Sequence, residues 1–410
     1  MFKQLHPNIQ ARLIISFFSK FIGSSVLPFM AIYFTNAINA TVAGILLIIN
    51  TIIQFTASIF GGYLADNIGR RKLMVIGEWT KVIALLGMAL SNSDFFSSTW
   101  ITFIMLLLMS LAQGIILPAS EAMLIDVSKP EIRAYMYSLN YWGSNLSMML
   151  GVILGGWFFQ QYMFNLILFL VVLSILTAIF TTIMITETLS INTKLVKDKI
   201  NYKDGLKNYR HVVKDYPFIL FTLGGIMLMS IEFQRDNYIS VRLDQEFLAI
   251  LSINNLSITI DGIKMLSILT VVNMLFIVLF TPLISKYINI NRNREKKMYI
   301  GFLLFTIGYA ICTLSNNLII LLVATLVFSI GELINVPIRQ SILSEIIDNN
   351  KRASYMALNS LVIQIGKLIA SSCLLISPYI NKYVISFIVL MFGFMSILFT
   401  FLSLRTLALH

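Results

Sequence analysis

Charged side chains are scarce in this sequence. Only 12% of the 410 residues are Asp, Glu, Lys or Arg, whereas 58% are hydrophobic and the mean hydropathy is +0.84. A soluble globular domain usually carries about 25% charged residues. The chain has too little polar material to cover a water-facing surface, so the composition excludes an ordinary soluble domain.

Cysteine and histidine are also rare, at two and three residues. Cys312 and Cys373 lie in apolar segments, which favours packing roles over a disulfide or a metal site. His6, His211 and His410 lie outside the predicted membrane spans. The sequence shows no metal or nucleophile spacing and no glycine-rich phosphate loop. We therefore expect neither an enzyme nor a nucleotide-driven pump, and no cofactor.

Long runs without charge take up much of the chain instead. Phe21–Ala65 has 45 uncharged residues and Tyr162–Thr186 has 25. About 20 helical residues are enough to cross ~30 Å of hydrocarbon, and turn-rich segments separate the runs. The sequence predicts an all-α polytopic membrane protein with twelve transmembrane helices, at residues 9–34, 41–65, 73–92, 100–126, 134–159, 162–187, 218–240, 263–287, 298–315, 318–347, 354–378 and 382–405.

The two halves of the chain are similar. A shift of 219 residues places Pro118–Asn140 on Pro337–Asn359, with six of 23 positions identical. Many secondary transporters consist of two such repeats with the substrate site between them. We predict two pseudo-symmetric six-helix bundles, at 1–187 and 218–410, joined by a basic cytoplasmic linker at 188–217.

Basic residues gather on one side of this topology. The termini, the even-numbered loops and the linker hold most of the 30 Lys and Arg residues, and the net charge is +11. Positive charge stays preferentially in the cytoplasm. We therefore predict a plasma-membrane protein with both termini cytoplasmic and without a nucleic-acid partner, and we expect a monomer.

Some ionisable residues fall near the middle of predicted helices, namely Lys20, Glu332 and Lys367. A charge there costs from ~3 to over 10 kcal/mol, so each needs a partner or a use. Glu332 is either a carboxylate that exchanges protons or holds a substrate group, or part of an ion pair with Lys20 or Lys367. Asn335 and Arg339 share its helix face at i+3 and i+7.

Two further groups follow helical spacing. Glu232, Arg235 and Asp236 form an i, i+3, i+4 cluster toward the outer end of helix seven. There, Asp236 is an outer-gate acid or a plain interfacial residue. Glu78 and Lys81 are expected to form a local ion pair in helix three.

The stretch Gly62–Lys72, "GYLADNIGRRK", brings one acidic and three basic residues together at the end of helix two. Gly69 permits a tight turn, and Asp66 is placed to face a positive helix N-terminus. The two arginines have Asp126 as the obvious acidic partner, in a contact that can form in one conformational state and must break in another. The alternative is a plain positive loop on the cytoplasmic side.

The spacing in this stretch resembles the signature loop of the major facilitator superfamily, carried here by Gly62, Asp66, Gly69, Arg70 and Arg71. That loop lies between helices two and three, as it does here. The resemblance implies the two-bundle fold predicted above and a transport function.

Helix five carries a second resemblance. Gly151, Gly155 and Gly156 are similar to the antiporter signature of drug exporters in this superfamily, with Val152 where proline is usual. Glycine pairs in membrane helices also serve packing alone.

Four more stretches are similar to the proton-coupled drug exporters of the superfamily: "NIQARL" at 8–13, "LIDVS" at 124–128, "YWGSNLS" at 141–147 and "GELINVP" at 331–337. The resemblance implies functional roles for Arg12, Asp66, Asp126, Asp236 and Glu332. Asn140 stands where these exporters have an aspartate, so the implied proton route differs.

The resemblance implies proton-coupled antiport that exports small amphipathic compounds, as in multidrug efflux, with the proton gradient as energy source. Glu332 is then the substrate or proton contact, and Asp236 and Asp126 link protonation to gating. Asp66 and the two arginines of the loop form the inner latch. Lys20 and Lys367 also suit an anion or zwitterion, so export of a metabolite such as a siderophore is the alternative, and uptake symport is a third.

Overall fold

The structure, a computed structural model, describes residues 5–128, 130–188, 212–253, 256–287, 293–347 and 352–407. Most of these residues are helical. The helices are α1 (Pro7–Val26), α2 (Met30–Ala37), α3 (Ala40–Ile68), α4 (Arg70–Leu90), α5 (Thr99–Val127), α6 (Pro130–Phe158), α7 (Met163–Met184), α8 (Tyr216–Glu232), α9 (Ser240–Glu246), α10 (Gly262–Tyr287), α11 (Arg294–Cys312), α12 (Leu318–Ile346), α13 (Arg352–Ile376) and α14 (Lys382–Leu407).

Helical regions lie at all twelve predicted positions, and the prediction of an all-α polytopic membrane fold is confirmed. Ten of the described helical regions are long and apolar enough to cross a membrane. The other two, α6 and α11, are more polar: α11 opens with the charged run Arg294–Lys297.

Two spans are interrupted. In the first, a short 3-10 turn at Leu27–Phe29 separates α1 from α2, where Pro28 lacks a backbone N–H. In the seventh, a π-helical segment at Arg235–Ile239 separates α8 from α9. Neither interruption was predicted.

Two antiparallel hairpins add to the helices. Strands β1 (Asn92–Ser93) and β2 (Phe96–Ser97) connect α4 to α5, and β3 (Leu248–Ile253) and β4 (Leu256–Asp261) connect α9 to α10. In the longer hairpin, formed by β3 and β4, Leu248 lies opposite Asp261. Neither hairpin is predicted from the sequence.

The structure divides into two compact units. The first comprises Met1–Ala37 and Leu46–Asp198, and the second comprises Ile38–Ile45 and Lys199–His410. The predicted linker lies mostly outside the described residues, so the domain boundaries stay a prediction.

The repeat is visible in helix lengths. Helices α5 and α12 both have 29 residues, and their first and last residues differ in number by the same 219 positions as the sequence match. Each contains one internal proline, Pro118 or Pro337. The two prolines occupy equivalent positions in the two helices.

The second unit has a core rich in aromatic rings. Phe218, Phe221, Phe302, Phe305 and Tyr309 are all buried in one cluster. Such rings contribute large apolar contact areas, and they hold α8 and α11 together.

Arg242 anchors α9 at one end of this unit. Its Nη2 donates to the carbonyl oxygens of Cys312 (2.9 Å) and Ser315 (2.7 Å). These carbonyls lie at the end of α11, where backbone acceptors lack helical partners. The side chain is 2% exposed, so α9 is fixed to the end of α11 by a buried guanidinium.

Candidate functional site

The π-helical segment places charge inside the second unit. Here α8 ends at Glu232, and the following turns carry Arg235 and Asp236. A π turn inserts an extra residue, and such turns are frequent at functional sites. The only sequence signal for it is the polar run 234–237 within an apolar helix.

One asparagine joins this segment to α12. Asn273 of α10 accepts a hydrogen bond at Oδ1 from Arg235 Nη1 (3.5 Å) and donates from Nδ2 to Glu332 Oε2 (3.1 Å). The same amide nitrogen donates to Ser329 Oγ (2.9 Å). Arg235 Nε also contacts Asp236 Oδ1 at 3.2 Å. We call Glu232, Arg235, Asp236, Asn273 and Glu332 the Arg235 cluster.

The cluster has more acid than base. The carboxyl groups of Glu232, Asp236 and Glu332 all interact electrostatically with the single guanidinium of Arg235. Three ionised carboxylates would leave two negative charges unbalanced in a medium where uncompensated charge is costly. The arrangement therefore favours uptake of protons or other cations.

Lys367 of α13 contacts the residue that follows Glu232 of this cluster. Its ammonium stands over the ring of Phe233, 5.5 Å from the ring centroid. Phe233 directly follows Glu232 in the chain. With Lys367 included, the formal charge is still negative.

The first unit holds a different polar group. Arg12 is buried, and its Nη2 donates to Ser120 Oγ at 2.8 Å. It interacts electrostatically with Glu78 and Glu121. Lys20, further along the same helix, is exposed.

The predicted pair of Glu78 and Lys81 is confirmed. The two side chains are in direct contact, at 0% and 2% exposure. Ser19 of α1 bridges them: its hydroxyl donates to Glu78 Oε1 (3.2 Å) and accepts from Lys81 Nζ (2.9 Å). The pair thus joins α4 to α1 inside the bundle.

A half-open apolar pocket of about 290 Å³ lies between α1 and α6 in this unit. Phe17, Phe18 and Trp142 contribute aromatic walls, and Asn140 contributes an amide. Such a lining suits the apolar part of a small organic molecule with one polar contact. The structure thus places the predicted site residue Asn140 in the wall of this pocket.

The signature loop is organised around Gly69, which has φ 105° and precedes α4. Arg70 Nη1 lies 2.8 Å from Asp126 Oδ2, which is the predicted contact. Arg71 differs from the expectation of an acidic partner: it donates to the carbonyl oxygens of Ile185 (2.7 Å) and Thr182 (2.8 Å). It therefore caps the end of α7.

Sequence reasoning missed Glu187 in this loop. Its carboxylate accepts hydrogen bonds from the backbone N–H groups of Arg70 (3.1 Å) and Arg71 (3.2 Å). An anion is favourable at the N-terminus of a helix. The only signal was an isolated acid at the last residue of the predicted sixth span, next to the basic linker. The side chain of Asp66 lies outside the described residues.

The signature glycines differ in how tightly they pack. A methyl group at Gly151 would overlap Ser24, and one at Gly155 would overlap the ring of Phe29, so both glycines allow α6 to approach α1 closely. Gly156 is buried. Gly62 has space for a methyl group, with Pro118 at 3.9 Å.

A comparison with known proteins assigns the family. The profile of the Major Facilitator Superfamily matches residues 13–260 and 246–409. The chain belongs to the Major Facilitator Superfamily. The prediction of this family is confirmed, and this superfamily member is a multi-pass membrane transporter.

Named relatives differ in their cargo. The chain is 30% identical over 381 residues to a Na(+), Li(+), K(+)/H(+) antiporter of Planococcus maritimus, which covers 90% of this chain and 89% of that protein. It is 23% identical over 348 residues to the multidrug resistance protein MdtH of Blochmanniella floridana, covering 83% and 80%.

Solved structures agree in fold. A POT family transporter in complex with 5-aminolevulinic acid has a TM-score of 0.73 at 15% identity, covering 98% of both chains. At this identity the likeness concerns the fold alone.

Proposed function

We propose that this transporter is a proton-coupled antiporter that exports cationic substrates by alternating access. One observation carries the proposal: the carboxyl groups of Glu232, Asp236 and Glu332 interact electrostatically with the single guanidinium of Arg235, and Asn273 links that guanidinium to Glu332. A cluster with excess negative charge inside a membrane protein needs protons or cations to balance it.

In this mechanism, protons and substrate alternate at the Arg235 cluster. Substrate charge arriving from the cytoplasm displaces protons, and protons arriving from outside displace the substrate. Glu332 is the main exchanging group, because its carboxylate ends the hydrogen-bonded chain that begins at Arg235. Asp236 takes part at the π-helical segment. Each inward proton contributes ~2.3 kcal/mol per 100 mV of membrane potential.

Small amphipathic compounds are the first candidate cargo. The pocket between α1 and α6 has three aromatic side chains and one amide, which suits an organic molecule with an apolar body. The relative MdtH carries multidrug resistance in its name. Asn140 is then a substrate contact rather than a proton site.

Alkali cations are the second candidate cargo. The relative at 30% identity is named for sodium, lithium and potassium exchange against protons. Carboxylate and amide oxygens are the ligands that hard cations prefer, and the Arg235 cluster contains both.

The signature loop is proposed to act as the inner latch. Arg70 and Asp126 form its ion pair, and Glu187 fixes the start of α4. Asp66 is assigned to this latch from its place in the signature. We further propose a monomer with both termini in the cytoplasm, on the distribution of basic residues.

Transport by purified protein in proteoliposomes tests the proposal. An acid-inside pH gradient is imposed, and a pH-sensitive dye reports its dissipation after the addition of one probe. Tetraphenylphosphonium, sodium, potassium and citrate are compared with choline, which controls for ionic strength. We expect dissipation by tetraphenylphosphonium or an alkali cation and none by citrate. Dissipation by citrate alone would support the anion alternative, and no response to any probe would refute cation antiport.

A further inference from the structure

A second guanidinium in the C-terminal unit lies apart from the Arg235 cluster. Arg339 of α12 follows Glu332 by seven residues, with Asn335 between them on the same helix face. Two helical turns separate Arg339 from Glu332, about 10 Å along the axis. Among the described residues, no carboxylate forms a salt bridge with Arg339.

Helix α8 holds this guanidinium in place. Its central carbon stands over the Phe221 ring, 5.2 Å from the centroid. Gly225, one turn further along α8, leaves the space that the guanidinium fills, since a methyl group there would overlap it. Arg339 therefore presents a fixed positive charge, stabilised by an aromatic ring rather than by an acid.

Several buried polar atoms on this face lack a protein partner. Arg339 Nε and Nη2 are buried without a hydrogen bond, and so is Asn335 Oδ1. The Asn335 amide nitrogen is already used, because it donates to Gly331 O at 2.9 Å. Buried donors and acceptors of this kind are where internal water binds. Glu332, Asn335 and Arg339 thus form a line of polar groups along one helix face, with unpaired atoms at Asn335 and Arg339.

We propose that Arg339 is an electrostatic barrier that stops protons and small cations from leaking between Glu332 and the Glu345 end of α12. A fixed positive charge beside a polar route repels cations, as in pores that exclude them with an arginine. The barrier keeps ion movement dependent on substrate exchange. This inference rests on the proposed antiport at the Arg235 cluster, and Arg339 acts on moving charge without binding substrate.

The test measures leak without substrate. Proteoliposomes containing the full chain receive an imposed pH gradient, and the decay of the gradient is followed with no probe added. Arg339→Met keeps much of the side-chain length but removes the charge. We expect it to accelerate the decay of the gradient about tenfold or more, because a focused charge changes the access of ions by at least about that factor. Arg339→Lys restores the positive charge and is expected to return the decay close to that of the wild type.

A second variant moves the charge without removing it. Gly225→Ala displaces the guanidinium from the Phe221 ring, because the far end of the arginine side chain yields to the new methyl group. We expect a leak between those of the wild type and Arg339→Met. Arg405→Gln removes an exposed positive charge near the end of α14 and serves as the matched control, with no added leak.

The outcomes separate the two proposals. If the wild type exchanges a cationic probe and Arg339→Met holds the gradient as well as the wild type, the barrier is refuted while antiport stands. If Arg339→Lys leaks like Arg339→Met, a barrier based on charge is equally refuted. If Arg339→Met does not fold, the Gly225→Ala variant provides the test. A decay of the gradient in Gly225→Ala equal to that of the wild type then overturns the inference. Absence of exchange by the wild type refutes the antiport itself.

Discussion

The Asn273 amide nitrogen lies 3.1 Å from Glu332 Oε2, while the oxygen of the same amide accepts from Arg235. One neutral side chain thus connects a guanidinium on the seventh span to a carboxylate on the tenth. Protonation of Glu332 weakens its attraction for the amide donor, because a hydrogen bond to an ionised group is stronger than one to a neutral group. A change of charge at Glu332 is therefore communicated to Arg235 through a single amide.

Glu332→Gln removes the exchangeable proton while preserving the shape of the side chain. We expect coupling to be lost, so that a pH gradient no longer drives probe export, with a fall of at least about tenfold in probe-dependent proton flux. Flux is measured by dye recovery in proteoliposomes. Asp94→Asn, in the exposed turn between β1 and β2, is the matched control. A Glu332→Gln variant that exports under the gradient at the wild-type rate would remove Glu332 from the mechanism.

Glu78→Gln leaves Lys81 charged and without its acid in the core of the first unit. Breaking a buried pair in this way costs about 3–5 kcal/mol, and we expect a clear decrease in Tm in detergent. The double variant Glu78→Leu with Lys81→Met removes both charges and should recover much of the loss. A Tm for Glu78→Gln equal to that of the wild type would show that the pair is not a stabilising contact.

Gly69→Ala tests the turn in the signature loop. An alanine at φ 105° is strained by about 1–3 kcal/mol, and its methyl group would also overlap the Glu187 carboxylate. We expect lower thermal stability and slower transport, because the cap on α4 is displaced. Gly62→Ala is the matched control from the same signature, since that position has space. Equal behaviour of the two variants would contradict the assigned geometry.

The pH dependence of one surface ion pair follows from its geometry. Arg294 Nη2 donates to Glu345 Oε2 at 2.6 Å, and this hydrogen bond lowers the pKa of Glu345 below its ordinary value of 4.5. A lowered pKa stabilises the folded protein above 4.5, and the contribution is lost as the pH falls through the folded-state pKa. The effect is small because the Glu345 side chain is 51% exposed.

The Tm difference between the wild type and Glu345→Gln measures this contribution over a range of pH. We expect the wild type to be more stable near neutral pH and the difference to shrink as the solution is made more acidic than 4.5. A difference that grows on acidification would mean that Arg294 does not stabilise the ionised carboxylate.

The spans and the repeat were predictable from sequence for a simple reason. A helix that crosses lipid must be apolar over a fixed length, so each span leaves its own local signal. The equal lengths of α5 and α12, at the offset found in the sequence, show that the repeat extends to helix ends. Local composition determines these features.

The contacts inside the site were not predictable in the same way. Asn273 is neutral and lies in an apolar helix, and nothing local indicates that it faces both Arg235 and Glu332. That meeting depends on how α8, α10 and α12 pack. Glu187 was missed because its partners are backbone N–H groups, which every residue possesses. The β3–β4 hairpin is not predicted, because its apolar residues form too short a run for a span.

The extra residue in the π-helical segment determines the direction in which every later side chain of the seventh span points. Each residue of an α-helix turns the chain by about 100°. Arg235 begins this segment and donates a hydrogen bond to Asn273. Arg242 follows the segment and donates to the carbonyl oxygen of Cys312 at the end of α11. Delete one residue between them, and only one of the two arginines can keep its partners. The length of this segment is thus constrained as firmly as its chemistry, and natural variants should tolerate substitutions there far better than deletions.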